Sequence, residues 1–191
     1  MKIAVYCASS TKVHPDYFSA ARALGEGLAR RGIGLINGAG NMGLMAASSD
    51  ACLAAGGEVT GVIPSFMVEQ DWHHKGLTQL IETRDMHERK QTIAQLSDGC
   101  IALPGGCGTL EELMEVITWK QLGLYLKPIV ILNTHDYYAP LLQQLRRGID
   151  EHFMGERHAD IWRVAATPEE AIELVLSTPL WDKSVRKFAA I

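Results

Sequence analysis

Short apolar runs alternate along this chain with longer amphipathic ones. Lys2–Cys7, Ile33–Ile36, Val59–Ile63, Cys100–Leu103, Ile129–Leu132 and Trp162–Ala165 read as strands, and Leu80–Glu82 as a short extended piece. Between them lie stretches with helical spacing: Pro15–Arg30, Met42–Ala55, Asp85–Leu96, a run from about Thr109, Tyr137–Arg147 and Pro168–Leu176. In the first of these Phe18, Ala21, Leu24 and Leu28 recur every three or four residues, and Gly32 stops the helix. Strand and helix taken in alternation predict an α/β fold, a single Rossmann-like domain whose parallel sheet carries helices on both faces.

The segment from Pro64 to Gly76 fits no period and contains Gln70, Asp71, Trp72, His73 and His74, so it is expected to be a loop or binding lid. The tail from Ser177 to Ile191 is amphipathic with no evident packing partner. No linker or internal repeat divides the 191 residues, which suit one domain with a substantial core.

Charge narrows the partners. A net charge of −4 and scattered basic residues leave no footprint for nucleic acid. No apolar run approaches the roughly 20 residues of a membrane span, and the N-terminus turns polar too soon for a signal peptide. Four cysteines without CxxC spacing suggest reduced thiols and a cytoplasmic protein.

The most informative stretch is Leu103–Leu124. It combines the end of a buried strand, the turn Pro104-Gly105-Gly106-Cys107-Gly108-Thr109, and a helix with Leu110, Glu111, Glu112 and Glu115 near its start. Glycines free to take φ > 0 would gather several N–H groups on one anion at the positive end of that helix. Phosphate capture beside a carboxylate is the chemistry implied. The simpler reading is a capping box, with Thr109 as cap and Glu112 bonding back to it. That arrangement would not require the glycines.

A second glycine turn, Gly38-Ala39-Gly40-Asn41-Met42-Gly43, matches G-x-G-x-x-G as a string. It follows the second strand rather than the first, and the next strand ends Val62-Ile63-Pro64 where a ribose-binding carboxylate should stand. Nicotinamide binding is therefore disfavoured, and two glycine turns facing one crevice fit better. Arg89 and Lys90 begin a helix, the wrong end for cations unless an anion faces them, although a solvated face with local ion pairs is the ordinary case. His73, His74 and His87 lack i,i+4 spacing, so no metal is predicted. Cys107 could be a nucleophile before a helix, but no histidine lies near it in sequence.

Three segments carry a resemblance: NGAGNMGLMAA at Asn37–Ala47, DMHERK at Asp85–Lys90 and PGGCGTLEE at Pro104–Glu112. Together they resemble the LOG (Lonely Guy) family of phosphoribohydrolases, often labelled lysine decarboxylases, and the likeness runs from Ala4 to about Leu141. The resemblance implies hydrolysis of the N-glycosidic bond of nucleoside 5′-monophosphates, such as cytokinin nucleotides or AMP, to free base and ribose 5-phosphate. It implies Arg89 and Glu112 as the catalytic pair. Substrate contacts would come from Arg89, Lys90, Gly40, the turn Gly105, Gly106, Cys107, Gly108, Thr109 and Leu110, and by position Glu69 and Thr118. It implies no cofactor and a homodimer.

Ala8, Asn37, Ala39 and Ala46 depart from the family pattern and leave the preferred base open. A decarboxylase using pyridoxal would need a lysine placed for a Schiff base, and none is recognisable. The rival from another class is a nucleotide-binding or cofactor-carrier protein that holds phosphate without cleaving anything. The long helix after the Gly105–Gly108 turn is expected to bury a face of Leu110, Leu113, Met114 and Ile117, with Val116, Trp119 and Leu122 covering much of the rest, in part against a second subunit.

Overall fold

A computed structural model describes residues 1–182 and 184. Seven parallel strands form one sheet in the order β4-β3-β2-β1-β5-β6-β7. They are β1 (Lys2–Tyr6), β2 (Gly34–Asn37), β3 (Val59–Pro64), β4 (Gln79–Thr83), β5 (Gly99–Ala102), β6 (Ile129–Leu132) and β7 (Arg163–Ala165). The helices are α1 (Pro15–Arg30), α2 (Gly43–Ala54), α3 (Ser65–Glu69), α4 (Met86–Leu96), α5 (Cys107–Gln121), α6 (Ala139–Asp150) and α7 (Pro168–Ser177). The expected α/β architecture is the one found. The tail expectation falls largely on residues 183 and 185–191, which lie outside the described residues.

Two hydrophobic cores, one on each face of the sheet, follow from the two-residue period of the strands. Ile3 and Val5 of β1 join Leu35, Ile101, Leu103, Val130 and Leu132 under α1, α2 and α7. Ala4 and Tyr6, one residue out of phase, join Ile36, Val62, Cys100, Ala102, Ile129 and Ile131 under α4, α5 and α6. A sheet covered on both sides explains why its central strands read as continuous apolar runs. Among the described residues no helix is long and apolar enough to cross a membrane.

Strand order reverses between β1 and β5, which pair with each other while their chain neighbours run off in opposite directions. A crevice opens at such a point beyond the carboxyl ends of the strands. The segments leaving β1, β2 and β5 therefore converge there. They are the three segments rich in small residues.

Four expectations need correction. The segment after β3 is not wholly irregular: α3 forms over Ser65–Glu69, and β4 extends to Gln79–Thr83. The rest of the supposed lid is fastened down. His74 N donates to Ala39 O at 2.8 Å, Asn41 N to Trp72 O at 3.1 Å, and Gly40 bridges His73. The long helix starts at Cys107 with Gly106 as its cap residue, so Thr109 lies inside the helix and the capping box does not form. Last, Leu113, Val116 and Ile117 are the buried apolar positions of α5, whereas Leu110, Met114 and Trp119 are partly buried and Leu122 is exposed.

Helices α1 and α2 pack closely where Gly25 meets the backbone of Ser48. A Cβ on Gly25 would fall on the Ser48 carbonyl oxygen. Gly25→Ala is expected to destabilise the fold by about 1–3 kcal/mol through overpacking, seen as a lower urea midpoint at unchanged m-value.

Candidate active site

The crevice is a cleft of about 320 Å³ lined by Cys7, Ala8, Ser9 and Ser10 after β1, Gly38, Gly40 and Met45 after β2, Met67 of α3, Met86 and Arg89 of α4, and Gly106, Gly108, Thr109, Glu111 and Glu112 of α5 and its cap. Each wall has a distinct chemistry.

Arg89 supplies the cationic wall. Asp85 caps α4, its carboxylate accepting from Glu88 N at 2.9 Å, and this sets the helix so that Arg89 points inward and is buried. Its Nε donates to Val62 O at 3.0 Å and its Nη2 to Gly38 O at 2.9 Å. Carbonyls at the ends of β3 and β2 thus offset the placement of a cation near a helix N-terminus. Gly38 is required for this: a Cβ there would occupy the place of the guanidinium. Burial lowers the Arg89 pKa, and the charges of Glu112 and Glu111 oppose that shift. Arginine nonetheless stays charged.

Glu112 supplies the acidic wall. It is only 9% exposed, and among the described residues no hydrogen bond to its carboxylate accompanies that burial. Burial raises its pKa to about 7, Arg89 and Lys90 pulling it down while Glu111 and Glu115 push it up. A carboxyl poised near neutrality in a cleft is suited to acid–base or charge-stabilising work. Its field and, more strongly, burial raise the Cys7 thiol well above the usual range.

The third wall is the start of α5. Its cap residue Gly106 offers no side-chain bond to the first turn, so the leading N–H groups of the helix remain for a ligand. Gly105, Gly106 and Gly108 do not adopt positive φ, contrary to the expectation from sequence. Their value is space: a Cβ at Gly106 or Gly108 would meet nothing within 4 Å, while one at Gly105 would strike the Thr109 side chain. Glycine at 106 and 108 thus keeps the floor of the cleft open. Tyr137 fixes this turn from behind, donating to Gly105 O at 2.6 Å.

Of the residues singled out from sequence, Arg89, Glu112, Gly40, Gly106, Gly108 and Thr109 come together in the cleft. Gly105, Cys107 and Leu110 belong to the same turn without lining it. Lys90 is buried and turned to α5, where Nζ bonds Glu111 at 2.7 Å and Glu115 at 3.1 Å. Burial would lower its pKa, but these two carboxylates raise it on balance. Glu69 ends α3 on the exposed surface. Thr118 is exposed as well, its hydroxyl donating to Met114 O at 2.8 Å.

Sequence reading did not nominate Ser9, Ser10, Met45, Met67, Met86 or Glu111. The two serines could have been found from their position just past a switch-point strand; Met67 could not, because its helix carried no signal. The departure at Asn37 has a structural role: its buried amide accepts from Ala39 N at 2.9 Å and donates to Ser49 at 2.9 Å. That bond holds Ala39 at φ +59°, a conformation costly for alanine.

The Glu112 pKa makes a prediction about stability. Because the folded value lies above the unfolded one, the folded chain holds the extra proton between about pH 4.5 and 7. Its contribution to stability therefore falls as pH rises through that window. In denaturation across pH 4.5–8, Glu112→Gln is expected to gain stability relative to the parent chain as pH rises, levelling off above 7. A constant difference would refute the assigned shift.

Residues 45–175 match the family described as possible lysine decarboxylase. The chain is 41% identical over 175 residues to the cytokinin riboside 5′-monophosphate phosphoribohydrolase LOG of Oryza sativa subsp. japonica, covering 92% of this chain and 71% of that protein. It is 42% identical over 153 residues to the cytokinin riboside 5′-monophosphate phosphoribohydrolase of Rhodococcoides fascians, covering 80% of this chain and 77% of that one. Among solved structures, the molybdenum cofactor binding protein of Rippkaea orientalis shares the fold at a TM-score of 0.71 and 25% identity, over 92% of this chain and 95% of that chain. With the switch-point cleft, both glycine turns and this identity over most of its length, the chain belongs to the LOG family of phosphoribohydrolases, the family also described as possible lysine decarboxylases.

Proposed function

We propose that this protein hydrolyses the N-glycosidic bond of a nucleoside 5′-monophosphate, such as a cytokinin nucleotide or AMP, releasing the base and ribose 5-phosphate. The observation that carries the reading is Glu112, a carboxyl buried in the cleft opposite Arg89 and beside an uncapped helix N-terminus. The 5′-phosphate binds the first N–H groups of α5 over Gly106 and Gly108, which anchors the sugar through binding energy remote from the reacting bond. Breaking the C1′–N bond builds positive charge on the ribose ring, as in glycoside hydrolysis. Glu112 as carboxylate stabilises that charge and orients the attacking water. Arg89 faces the nucleotide and assists the departing base electrostatically. Met45, Met67 and Met86 give the remaining wall a soft apolar surface suited to a flat base. These steps use no cofactor.

Lys90 in this reading steadies α4 against α5 through its two carboxylates. Glu69 and Thr118 are exposed and outside the cleft of one chain, so a part in binding requires the neighbouring copy of a homodimer. Exposed Phe66, Leu122 and Leu124 offer apolar surface for such contact. The protein is proposed to work in the cytoplasm, without nucleic acid as a partner.

The rival is a carrier that holds a phosphorylated ligand without cleaving it; the Rippkaea orientalis neighbour is named a molybdenum cofactor binding protein. Glu112 favours hydrolysis, because an anion carrier gains nothing from an acid buried beside its anion site. Lysine decarboxylation finds no support in the cleft. Lys120 is buried with its pKa lowered to about 8, first by burial, but its Nζ donates to Lys127 O at 2.9 Å beside Trp181, away from the cleft lining.

Incubation with AMP and with an N6-isoprenyl adenosine monophosphate, followed by chromatography, is expected to yield free base and ribose 5-phosphate. Tight binding without product would favour the carrier. Glu112→Gln should retain the fold and lose at least ~10²-fold in turnover. In the parent enzyme kcat/KM should rise with pH and level off above about 7; phosphate itself titrates near pH 6, so the Glu112→Gln profile separates the two. Gly38→Ala should displace Arg89 and lower kcat/KM about tenfold or more while changing the urea midpoint little, because the flexible end of a side chain gives way. In light scattering at micromolar concentration the chain should run as a dimer; a monomer would remove Glu69 and Thr118 from the site.

A further inference from the structure

A second cluster of chemically capable side chains lies outside the cleft. His14 and Asp16 stand at the start of α1, and His135 comes from the single turn Thr134–Asp136 after β6, 119 residues further along the chain from Asp16. One ligand atom from each lies within 4.8 Å of the other two. His135 Nε2 is 2.8 Å from Asp16 Oδ2, and His14 Nδ1 is 3.5 Å from the same oxygen. Ligands about 2.0–2.1 Å from a tetrahedral ion sit within this spacing of each other after small side-chain rotations. Sequence spacing gave no hint of it, since the third member is remote.

Two features hold the cluster in place. His135 and Asp136 are consecutive non-glycine residues at φ +55° and +53°, and backbone strain of this kind collects at functional positions. The imidazoles also meet edge to face, His14 and His135 with centroids 5.6 Å apart, and Tyr17 packs on His135 at the same separation.

We propose that His14, Asp16 and His135 form a binding site for a divalent transition-metal ion, with water in the fourth position. Two imidazoles and one carboxylate suit zinc, nickel or copper rather than magnesium or calcium, which prefer all-oxygen sets. The full charge of Asp16 outweighs the half charge of the α1 N-terminus that would otherwise repel a cation. The bound ion takes the place of the hydrogen bond between His135 and Asp16 and of the one His14 Nδ1 accepts from Asp16 N, and ties the segment after β1 to the segment after β6. From there Tyr17 packs on Tyr137 at 6.1 Å, and Tyr137 bonds Gly105. The site thus clamps two segments that border the cleft, apart from the hydrolytic residues and independent of the activity proposed for them.

Titration of the purified full chain with zinc chloride in a calorimeter, with melting followed in parallel, tests this. Two variants serve: Asp16→Asn, and His135→Asn, chosen because asparagine tolerates a left-handed backbone. One equivalent of zinc should bind the parent chain and raise its Tm. Each variant should melt near the parent in chelator yet bind zinc at least the roughly 10–100-fold more weakly that even loss of a supporting contact brings. An anomalous peak between the three side chains in a zinc-soaked crystal should agree. No binding by the parent chain, or binding that both variants keep, would overturn the site.

Discussion

Desolvation of one carboxyl is the constraint on which the site depends. Glu112 is buried with Arg89 as the opposing charge in the cleft, and burial lifts its pKa to about 7. A carboxylate in water would stabilise a developing cation weakly, because the solvent screens it. Here the walls rise from a sheet with a core on each face, and the acid is largely buried. The same burial that suits Glu112 to its proposed role costs stability at neutral pH, which is the pattern expected where a fold carries chemistry.

Around that acid the backbone does much of the remaining work. Arg89 is positioned by carbonyls of Val62 and Gly38, and among the described residues no close ion pair consumes its charge. Lys90, one residue on, is the contrast: two carboxylates of α5 engage it. Adjacent cations on one helix thus have separate duties, one facing the cleft and one fastening α4 to α5.

The fold was legible because a parallel sheet writes itself as apolar runs separated by amphipathic ones, and β1, β3 and β6 obey that rule closely. The cleft was partly legible, since Arg89, Glu112 and both glycine turns lie in compact motifs. Three things escaped. The helix start at Cys107 was misplaced because Thr109 and Glu112 imitate a capping box, although the cap is the backbone of Gly106. The glycines were credited with unusual φ when their contribution is open space. The strap from Gln70 to Gly76 looked like a lid because its fastenings are backbone bonds to Ala39 and Asn41, which side-chain identity does not reveal. Met67 and His135 reach their places only through tertiary contacts, as no local pattern marks either.

The central claim is geometric, and a crystal structure with ribose 5-phosphate bound tests it most directly. The account predicts phosphate oxygens on the N–H groups that open α5, above Gly106 and Gly108, with C1 of the sugar facing the Glu112 carboxyl. Phosphate bound elsewhere, or a sugar turned so that C1 points away from Glu112, would contradict it.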